Sequence, residues 1–137
     1  SLTLEFPKIE EKYYYSFMRG YIDGDGCLQF RFQKGRTCYS VSLTSSKFFI
    51  EGFLAAFKKD GFNFSVRKAN RCEKSFVAAN SNKQEVVRFL DKIYENDDGY
   101  FRLERKYNKY LLMKEDLSQN PVNQKRITSK NYTINFN

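Results

Sequence analysis

The chain is 137 residues long, which is enough for a single domain with its own hydrophobic core. It carries 24 basic and 16 acidic residues, which gives a net charge of +8 at pH 7. It contains no histidine, which excludes Ser-His-Asp and Cys-His catalysis and any nuclease whose general base is histidine.

The positive charge lies outside the N-terminal segment. Residues 1–26 contain three basic and five acidic side chains, whereas the rest of the chain contains 21 basic and 11 acidic ones. A basic surface beside a small acidic centre is typical of a protein that binds a polyanion. We therefore expect a nucleic acid as the partner.

The cellular setting is predicted from composition alone. The three cysteines form no C-x-x-C pair, which predicts free thiols in a reducing, intracellular compartment. Frequent Phe, Tyr, Asn and Lys indicate an AT-rich genome, such as that of an organelle (mitochondrion or chloroplast) or of a phage in a bacterial cytoplasm. No apolar run approaches the ~20 residues of a membrane span, so no membrane partner is expected.

The first predicted element is a helix over residues 8–23. Its apolar residues Ile9, Tyr13, Phe17 and Tyr21 recur at helical spacing, and Pro7 stands at a favourable first position. The wide apolar face of this helix predicts that it is packed against the core on one side.

Two glycines and two aspartates mark the end of this helix. Gly20 and Gly24 lie four residues apart and therefore on one face, although each glycine within a helix costs about 1 kcal/mol relative to alanine. Their presence predicts that another helix approaches this face closely. Asp23 and Asp25 lie beside the glycines, so two such helices would bring carboxylates together where an oxygen-preferring divalent cation could bind.

A hairpin is predicted next, because residues 27–33 and 39–44 both alternate apolar and polar side chains around a Lys-Gly-Arg turn. Its polar face could contact base edges and phosphates in the major groove of DNA. An ordinary solvated sheet face is the alternative, and the basic residues favour DNA. The candidate contacts are Gln29, Arg31, Gln33, Lys34, Arg36, Ser40, Ser42 and Thr44.

A second helix and a second hairpin follow. The helix covers residues 47–59, is capped by Ser45 or Ser46, and buries an apolar face formed by Phe48, Phe49, Phe53, Leu54 and Phe57. The hairpin covers residues 63–69 and 75–79 around a charged loop. Basic side chains that extend the predicted DNA surface are Arg67, Arg71 and Lys74.

Two helices complete the predicted fold. The third begins at Ser81 or Asn82, with Gln84 or Glu85 completing a capping box, and the fourth covers residues 100–115. The basic flank of the fourth helix is expected to be mostly solvated. Residues 117–137 are polar, so we predict one domain over residues 1–116 followed by a polar C-terminal tail.

Residues 18–26, Met-Arg-Gly-Tyr-Ile-Asp-Gly-Asp-Gly, resemble the LAGLIDADG motif of homing endonucleases. The glycine at the third place and the Asp-x-Asp-Gly ending match, whereas Arg19 replaces a small residue and Tyr21 an aliphatic one. The resemblance extends over about residues 8–115 and implies an α+β fold. This fold has an αββαββα core with a curved four-stranded antiparallel sheet, here followed by an extra C-terminal helix and tail.

The same resemblance implies the partners of the chain. The concave face of the sheet would hold double-stranded DNA. Because the chain has one copy of the motif, the second motif helix would come from a second copy of the chain. The resulting homodimer would prefer a near-palindromic site. The interface residues implied are Tyr13, Phe17, Gly20, Asp23 and Gly24.

Catalytic roles are likewise implied by the resemblance. Asp25 and the backbone carbonyl of Gly24 match ligands of a catalytic Mg²⁺ (or Mn²⁺), and Cys27 matches a position near the scissile phosphate. Auxiliary polar residues would come from the fourth helix and from the end of the second strand, where Ser46 departs from the usual Gln or Arg. These auxiliary candidates are Lys106, Arg105, Ser46 and Lys47.

The leading hypothesis is a homodimeric, intron-encoded, Mg²⁺-dependent and site-specific DNA endonuclease. One alternative is an intron maturase or a DNA-binding regulator with the same fold and no cleavage activity. Another is a nuclease of the Asp…Glu-x-Lys type that uses Asp98, Glu104 and Lys106. That motif normally lies on strands, whereas this segment is predicted to be helical.

Overall fold

The structure is a computed structural model that describes residues 3–70, 72–95 and 102–122. A 3-10 turn at Glu11–Tyr13 comes first. The elements that follow are α1 (Tyr14–Asp25), β1 (Cys27–Gln33), β2 (Arg36–Ser46), α2 (Lys47–Lys58), β3 (Ser65–Ala69), β4 (Cys72–Asn80), α3 (Lys83–Tyr94) and α4 (Glu104–Gln119). This order confirms the predicted α+β architecture. Within the described ranges, none of the helices combines the length and the apolar composition needed to cross a membrane.

The four strands form one curved antiparallel sheet in the order β1-β2-β4-β3. Leu28 pairs with Val41, so these apolar side chains share one face, and the neighbouring pair Gln29 and Ser40 shares the other. The helices cover the apolar face. The period-2 pattern of the sequence therefore separates a buried face from a polar one, as predicted.

Aromatic rings fill the space between the helices and the sheet. The ring of Phe89 on α3 lies 5.3 Å from that of Phe64, 5.4 Å from Phe57 and 6.2 Å from Phe53. These pairs are edge-to-face, an arrangement that adds about 0.5–1.5 kcal/mol per pair beyond the area it buries. The ring of Tyr15 on α1 joins the same cluster, 6.2 Å from Phe89.

The chain is extended at Glu10 and then forms the 3-10 turn, so α1 begins at Tyr14 rather than at the predicted residue 8. Glu10 has φ −65° and ψ 145°. The ring of Phe6 anchors this segment, since it lies 5.4–5.8 Å from the rings of Tyr14, Phe17 and Phe49. Docking of this ring against the core keeps the segment out of the helix, which apolar spacing alone could not predict.

Other differences from the predicted elements are small. α4 begins at Glu104 rather than at residue 100 and continues to Gln119, past the predicted domain boundary at residue 116. β4 begins at Cys72, so much of the segment predicted as a charged loop belongs to strands. Phe48, predicted to be buried, is 55% exposed on α2.

Side chains cap the N-termini of α2 and α3, as predicted. Ser46 Oγ accepts a hydrogen bond from the backbone N–H of Phe49 (3.1 Å), and Asn82 Oδ1 accepts one from that of Glu85 (3.0 Å). The predicted capping box at α3 is wrong. The Glu85 carboxylate instead accepts a hydrogen bond from the backbone N–H of Asn63 (2.7 Å), which ties α3 to the chain before β3.

Phe53→Ala should lower the free energy of unfolding by about 3–5 kcal/mol, because it opens a cavity among several aromatic rings. Phe48→Ala is a matched control that removes the same ring from an exposed position on the same helix. It should cost about 1 kcal/mol or less. Urea denaturation measures both values, and equal losses would contradict the placement of these two side chains.

Candidate nucleic-acid interface and metal site

The polar face of the sheet forms a groove of about 780 Å³. The strand register places side chains from all of the strands on this face, and the arginines among them are exposed. The predicted DNA-contact residues that share the face are Cys27, Gln29, Arg31, Gln33, Arg36, Ser40, Ser42, Thr44 and Arg67.

Two further predicted DNA contacts lie elsewhere, and a third is not among the described residues. Lys34 is at the tip of the first hairpin, where it adopts φ 52° beside Gly35 at φ 74°. Lys74 is exposed, but strand alternation places it on the same side of β4 as Phe76, away from Arg67. Arg71 lies outside the described residues.

Several groove residues were missed by the sequence analysis. Cys38 pairs with Arg31 on the polar face, and the alternation of β2 could have revealed it. The other missed residues lie beyond the end of β4. This strand ends at Asn80, which pairs with Val41, so the part of β2 before Val41 has no β4 partner and the groove is closed there by other segments. No local sequence signal marks these residues, which are Ser81, Asn82, Lys83, Gln84, Asn120, Pro121 and Val122.

A hydrogen-bonded cluster joins the end of α4 to β2 beside this groove. Asp116 accepts hydrogen bonds from the hydroxyls of Tyr39 and Thr37, and the Lys83 ammonium donates to Thr37 Oγ1 at 2.9 Å. Burial alone would raise the pKa of Asp116, but these hydrogen bonds and one from Asn120 hold it below its ordinary value. The ionised carboxylate therefore fixes α4 against the wall of the groove.

The end of α1 presents a carboxylate next to the groove. Asp25 is exposed, and among the described residues it has no hydrogen-bond or ion-pair partner. The carbonyl of Gly24 lies in the last turn of α1, where carbonyl groups lack a partner within the helix. Cys27, a free and exposed thiol, begins β1 two residues after Asp25.

Lys106 is buried and reaches the same helix end from the first turn of α4. Its ammonium donates hydrogen bonds to three backbone carbonyl oxygens: those of Ile22 (2.6 Å), Asp23 (2.9 Å) and Gly26 (2.7 Å). Burial lowers the pKa of Lys106, and the nearby Asp23 carboxylate opposes that shift. Lys109, one turn later, donates to the carbonyl of Leu28 at 3.2 Å.

Asp23 is bonded within the chain. Its carboxylate accepts hydrogen bonds from the hydroxyl of Tyr94 (3.1 Å) and from the backbone N–H of Leu103 (2.8 Å). Leu103 is the N-cap residue of α4, so the carboxylate lies at the positive end of that helix. These contacts give Asp23 an intrachain role, and its predicted place in a dimer interface stays a prediction.

The other auxiliary catalytic candidates differ in how far their side chains are exposed and already bonded within the chain. Arg105 is exposed on α4, and Lys47 is 52% exposed with Glu51 at 3.8 Å. The structure does not support a catalytic role for Ser46. Its side chain is buried, accepts the capping bond from α2, and donates its one hydroxyl hydrogen to the carbonyl of Leu4.

The Asp…Glu-x-Lys alternative loses its structural basis. Glu104 and Lys106 lie on a helix rather than on a strand, and Glu104 pairs with Arg102 at 2.9 Å. Asp98 lies outside the described residues. The ammonium of Lys106 is also turned towards the end of α1.

One face of α1 is open in the single chain. Gly20 and Gly24 are both exposed, and a Cβ added at either would meet no other atom within 4 Å. Tyr13 on the same face is 52% exposed, whereas Phe17 is half-buried and packs against Phe49. The glycines therefore serve no close contact inside the described chain.

The donors at the end of α1 fit part of a site for a hard divalent cation. Asp25 offers a carboxylate and Gly24 a carbonyl, the oxygen ligands that Mg²⁺ and Mn²⁺ prefer. Across the described ranges, no group of three or more acidic or cysteine side chains comes together to bind a metal. One chain thus supplies a partial site, which a second carboxylate and water molecules would have to complete.

No protein-family model and no curated protein matches the sequence. Solved structures with the same fold include the group I intron-encoded homing endonuclease I-CeuI in complex with DNA, with a TM-score of 0.61 and 15% identity over 84% of this chain and 62% of that one. The LAGLIDADG meganuclease I-AabMI bound to uncleaved DNA gives a TM-score of 0.58 and 17% identity over 81% of this chain. The archaeal intron-encoded homing endonuclease I-Vdi141I in complex with DNA gives a TM-score of 0.56 and 17% identity over 80% of this chain.

The fold of this chain is therefore that of the LAGLIDADG homing endonucleases, as the motif predicted. The match extends over 62% of the I-CeuI chain and 40% of the I-AabMI chain, so this chain corresponds to a part of those proteins. At such identities the likeness concerns the fold, and the activity has to be argued from the site.

Proposed function

We propose that this protein is a homodimeric, site-specific endonuclease that cleaves double-stranded DNA with the help of Mg²⁺ or Mn²⁺. The observation that carries the proposal is the position of Asp25. Asp25 is an exposed carboxylate with no hydrogen-bond or ion-pair partner among the described residues, and in the chain it joins the glycine-bearing helix α1 to the first strand of the polar, arginine-bearing groove.

Double-stranded DNA matches the chemistry of the groove. Arg31, Arg36 and Arg67 are exposed on its surface, and arginine forms paired hydrogen bonds with guanine in the major groove. Gln29 and Gln33 can pair in the same way with adenine. The solved structures of I-CeuI and I-Vdi141I with the same fold are DNA complexes, which supports the same ligand here.

A second copy of this chain is the proposed partner for the open face of α1. Helices approach most closely where glycines replace larger side chains, and Gly20 and Gly24 are exposed on this face. A two-fold axis along it would place the Asp25 carboxylates of both chains near one another. It would also align two grooves, so we expect a long, near-palindromic target site.

In the proposed reaction, Asp25 and the Gly24 carbonyl of each chain would hold the divalent metal. When bound, the metal polarises a phosphoryl oxygen and lowers the pKa of a coordinated water. The groove side chains hold the duplex and keep it in register, and Cys27 begins β1 two residues after the carboxylate. This scheme needs no histidine, which matches the composition.

We also propose an intron-encoded origin in an organelle or a phage. I-CeuI and I-Vdi141I, which share the fold, are both intron-encoded. The abundance of Phe, Tyr, Asn and Lys, which points to an AT-rich genome, supports this origin.

Asp25→Asn should abolish cleavage and leave DNA binding nearly unchanged, because it removes the metal-binding charge and keeps the groove. We expect cleavage to fall by more than about 100-fold. Mutation of a residue that only hydrogen-bonds to a metal ligand already lowers metal affinity or activity about 10–100-fold, and the loss of a ligand itself should cost more. Cleavage of a library of candidate insertion sites in Mg²⁺ measures the effect.

The control for this variant is Glu5→Gln, which removes one negative charge from an exposed residue outside the site. Cleavage by Asp25→Asn at the wild-type rate would rule out the proposed site. A wild-type protein that binds DNA specifically and never cuts it would support the alternative of a cleavage-inactive regulator.

Gly20→Leu should disrupt the dimer without unfolding the chain. A Cβ added at Gly20 meets no atom within 4 Å in the described monomer, and leucine favours helix over glycine by nearly 1 kcal/mol. Ala55→Leu, at an exposed position on α2, is the matched control. Sedimentation equilibrium should give one chain for Gly20→Leu and two for the control; a dimeric Gly20→Leu would contradict the interface.

Arg31→Ala should relax base preference at one position in each half of the target site. We expect the loss to be about 1–3 kcal/mol of discrimination, the value of a paired arginine–base contact. Lys58→Ala, which removes the same charge from an exposed site on α2, should leave the preference intact. Binding to a randomised site library tests both, and an unaltered Arg31→Ala profile would exclude Arg31 from base recognition.

A further inference from the structure

We infer that Lys106 and Asp23 form a reciprocal clamp between α1 and α4 that sets the position of Asp25 and of the Gly24 carbonyl. Lys106 is thus a positioning residue that acts through the helix end that carries the two ligands. The inference rests on the proposed function in so far as Asp25 and Gly24 are taken to bind metal.

Lys106 has no hydrogen-bond donor left for a substrate. A lysine ammonium has three N–H groups, and the carbonyls of Ile22, Asp23 and Gly26 accept at 2.6, 2.9 and 2.7 Å. The side chain is also buried, with 7% of its surface exposed. A positive charge at this place stabilises the C-terminal end of α1, where the helix dipole is negative.

Asp23 makes the complementary contact in the opposite direction. Its carboxylate accepts the backbone N–H of Leu103 at 2.8 Å and so stabilises the N-terminal end of α4, where the dipole is positive. The hydroxyl of Tyr94 at the end of α3 adds a bond of 3.1 Å to the same carboxylate. Each helix end is therefore capped by a charged side chain from the other helix.

The clamp encloses the two proposed metal ligands. The ammonium binds carbonyls on both sides of the Gly24–Asp25 pair, while the carbonyl of Gly24 is not among its acceptors. The carbonyl of Ile22 also accepts the backbone N–H of Gly26 at 2.9 Å, so Lys106 and the last helical hydrogen bond share one acceptor. Loss of the ammonium should loosen this turn and thereby move both ligands.

The test uses Lys106→Met, which keeps the length of the side chain and removes its charge, and Lys114→Met as a control on the same helix. Lys114 is 55% exposed and pairs with Asp91, away from α1. Amide hydrogen exchange of the free protein is measured by NMR, and cleavage by the full dimer is measured as a function of Mg²⁺ concentration and pH.

For Lys106→Met we expect the Gly26 amide to exchange at least about ten times faster. The Mg²⁺ concentration for half-maximal cleavage should rise about 10–100-fold, the usual effect of losing an outer partner of metal ligands. At saturating Mg²⁺ the pH profile should keep its shape. Lys114→Met should change neither measurement.

Asp23→Asn tests the clamp from the other side and keeps an acceptor oxygen, so the test does not depend on whether Lys106→Met folds. It should speed exchange of the Leu103 amide and raise the Mg²⁺ requirement. Normal exchange at Gly26 in Lys106→Met, combined with cleavage that no Mg²⁺ concentration restores, would overturn the inference and make Lys106 catalytic. If the wild-type protein never cuts DNA, the proposed function fails, and the exchange measurements still decide whether the clamp exists.

Discussion

A buried ammonium group bound to three backbone carbonyls is the contact on which the rest of the site depends. A buried charge is tolerated only where hydrogen bonds replace its lost hydration, and the carbonyls at the end of α1 satisfy all three N–H groups of Lys106. This requirement fixes the first turn of α4 against the end of α1. The carbonyl of Gly26 extends the same contact to the residue that leads into β1.

The second constraint is the strict alternation of the strands. Burial of Leu28 and Val41 beneath the helices forces their neighbours Gln29 and Ser40 onto the opposite face. The apolar pattern that stabilises the sheet therefore also builds the polar groove. Since α1 ends where β1 begins, the carboxylate of Asp25 comes two residues before the first strand residue of that groove.

Much of this could be predicted from the sequence, because the relevant signals are local. The period-2 pattern of residues 27–33 gave the strand and its polar face, and Ser46 and Asn82 were each one of two residues predicted to cap their helix. The Asp-x-Asp-Gly ending led to the fold that the solved structures share. The start of α1 was misjudged, since the docking of Phe6 against the core leaves no mark in the apolar spacing.

The sequence by itself determined the order of the elements, the face on which each strand residue lies, and the place of Asp25 at the end of a glycine-bearing helix. Only the tertiary structure decided what individual polar side chains do. Lys106, an auxiliary catalytic candidate on a flank expected to be mostly solvated, is buried, and Ser46 and Asp23 are engaged within the chain. The reason is distance along the chain: the carbonyls that bind Lys106 lie 80 to 84 residues before it, and no local pattern can predict that contact.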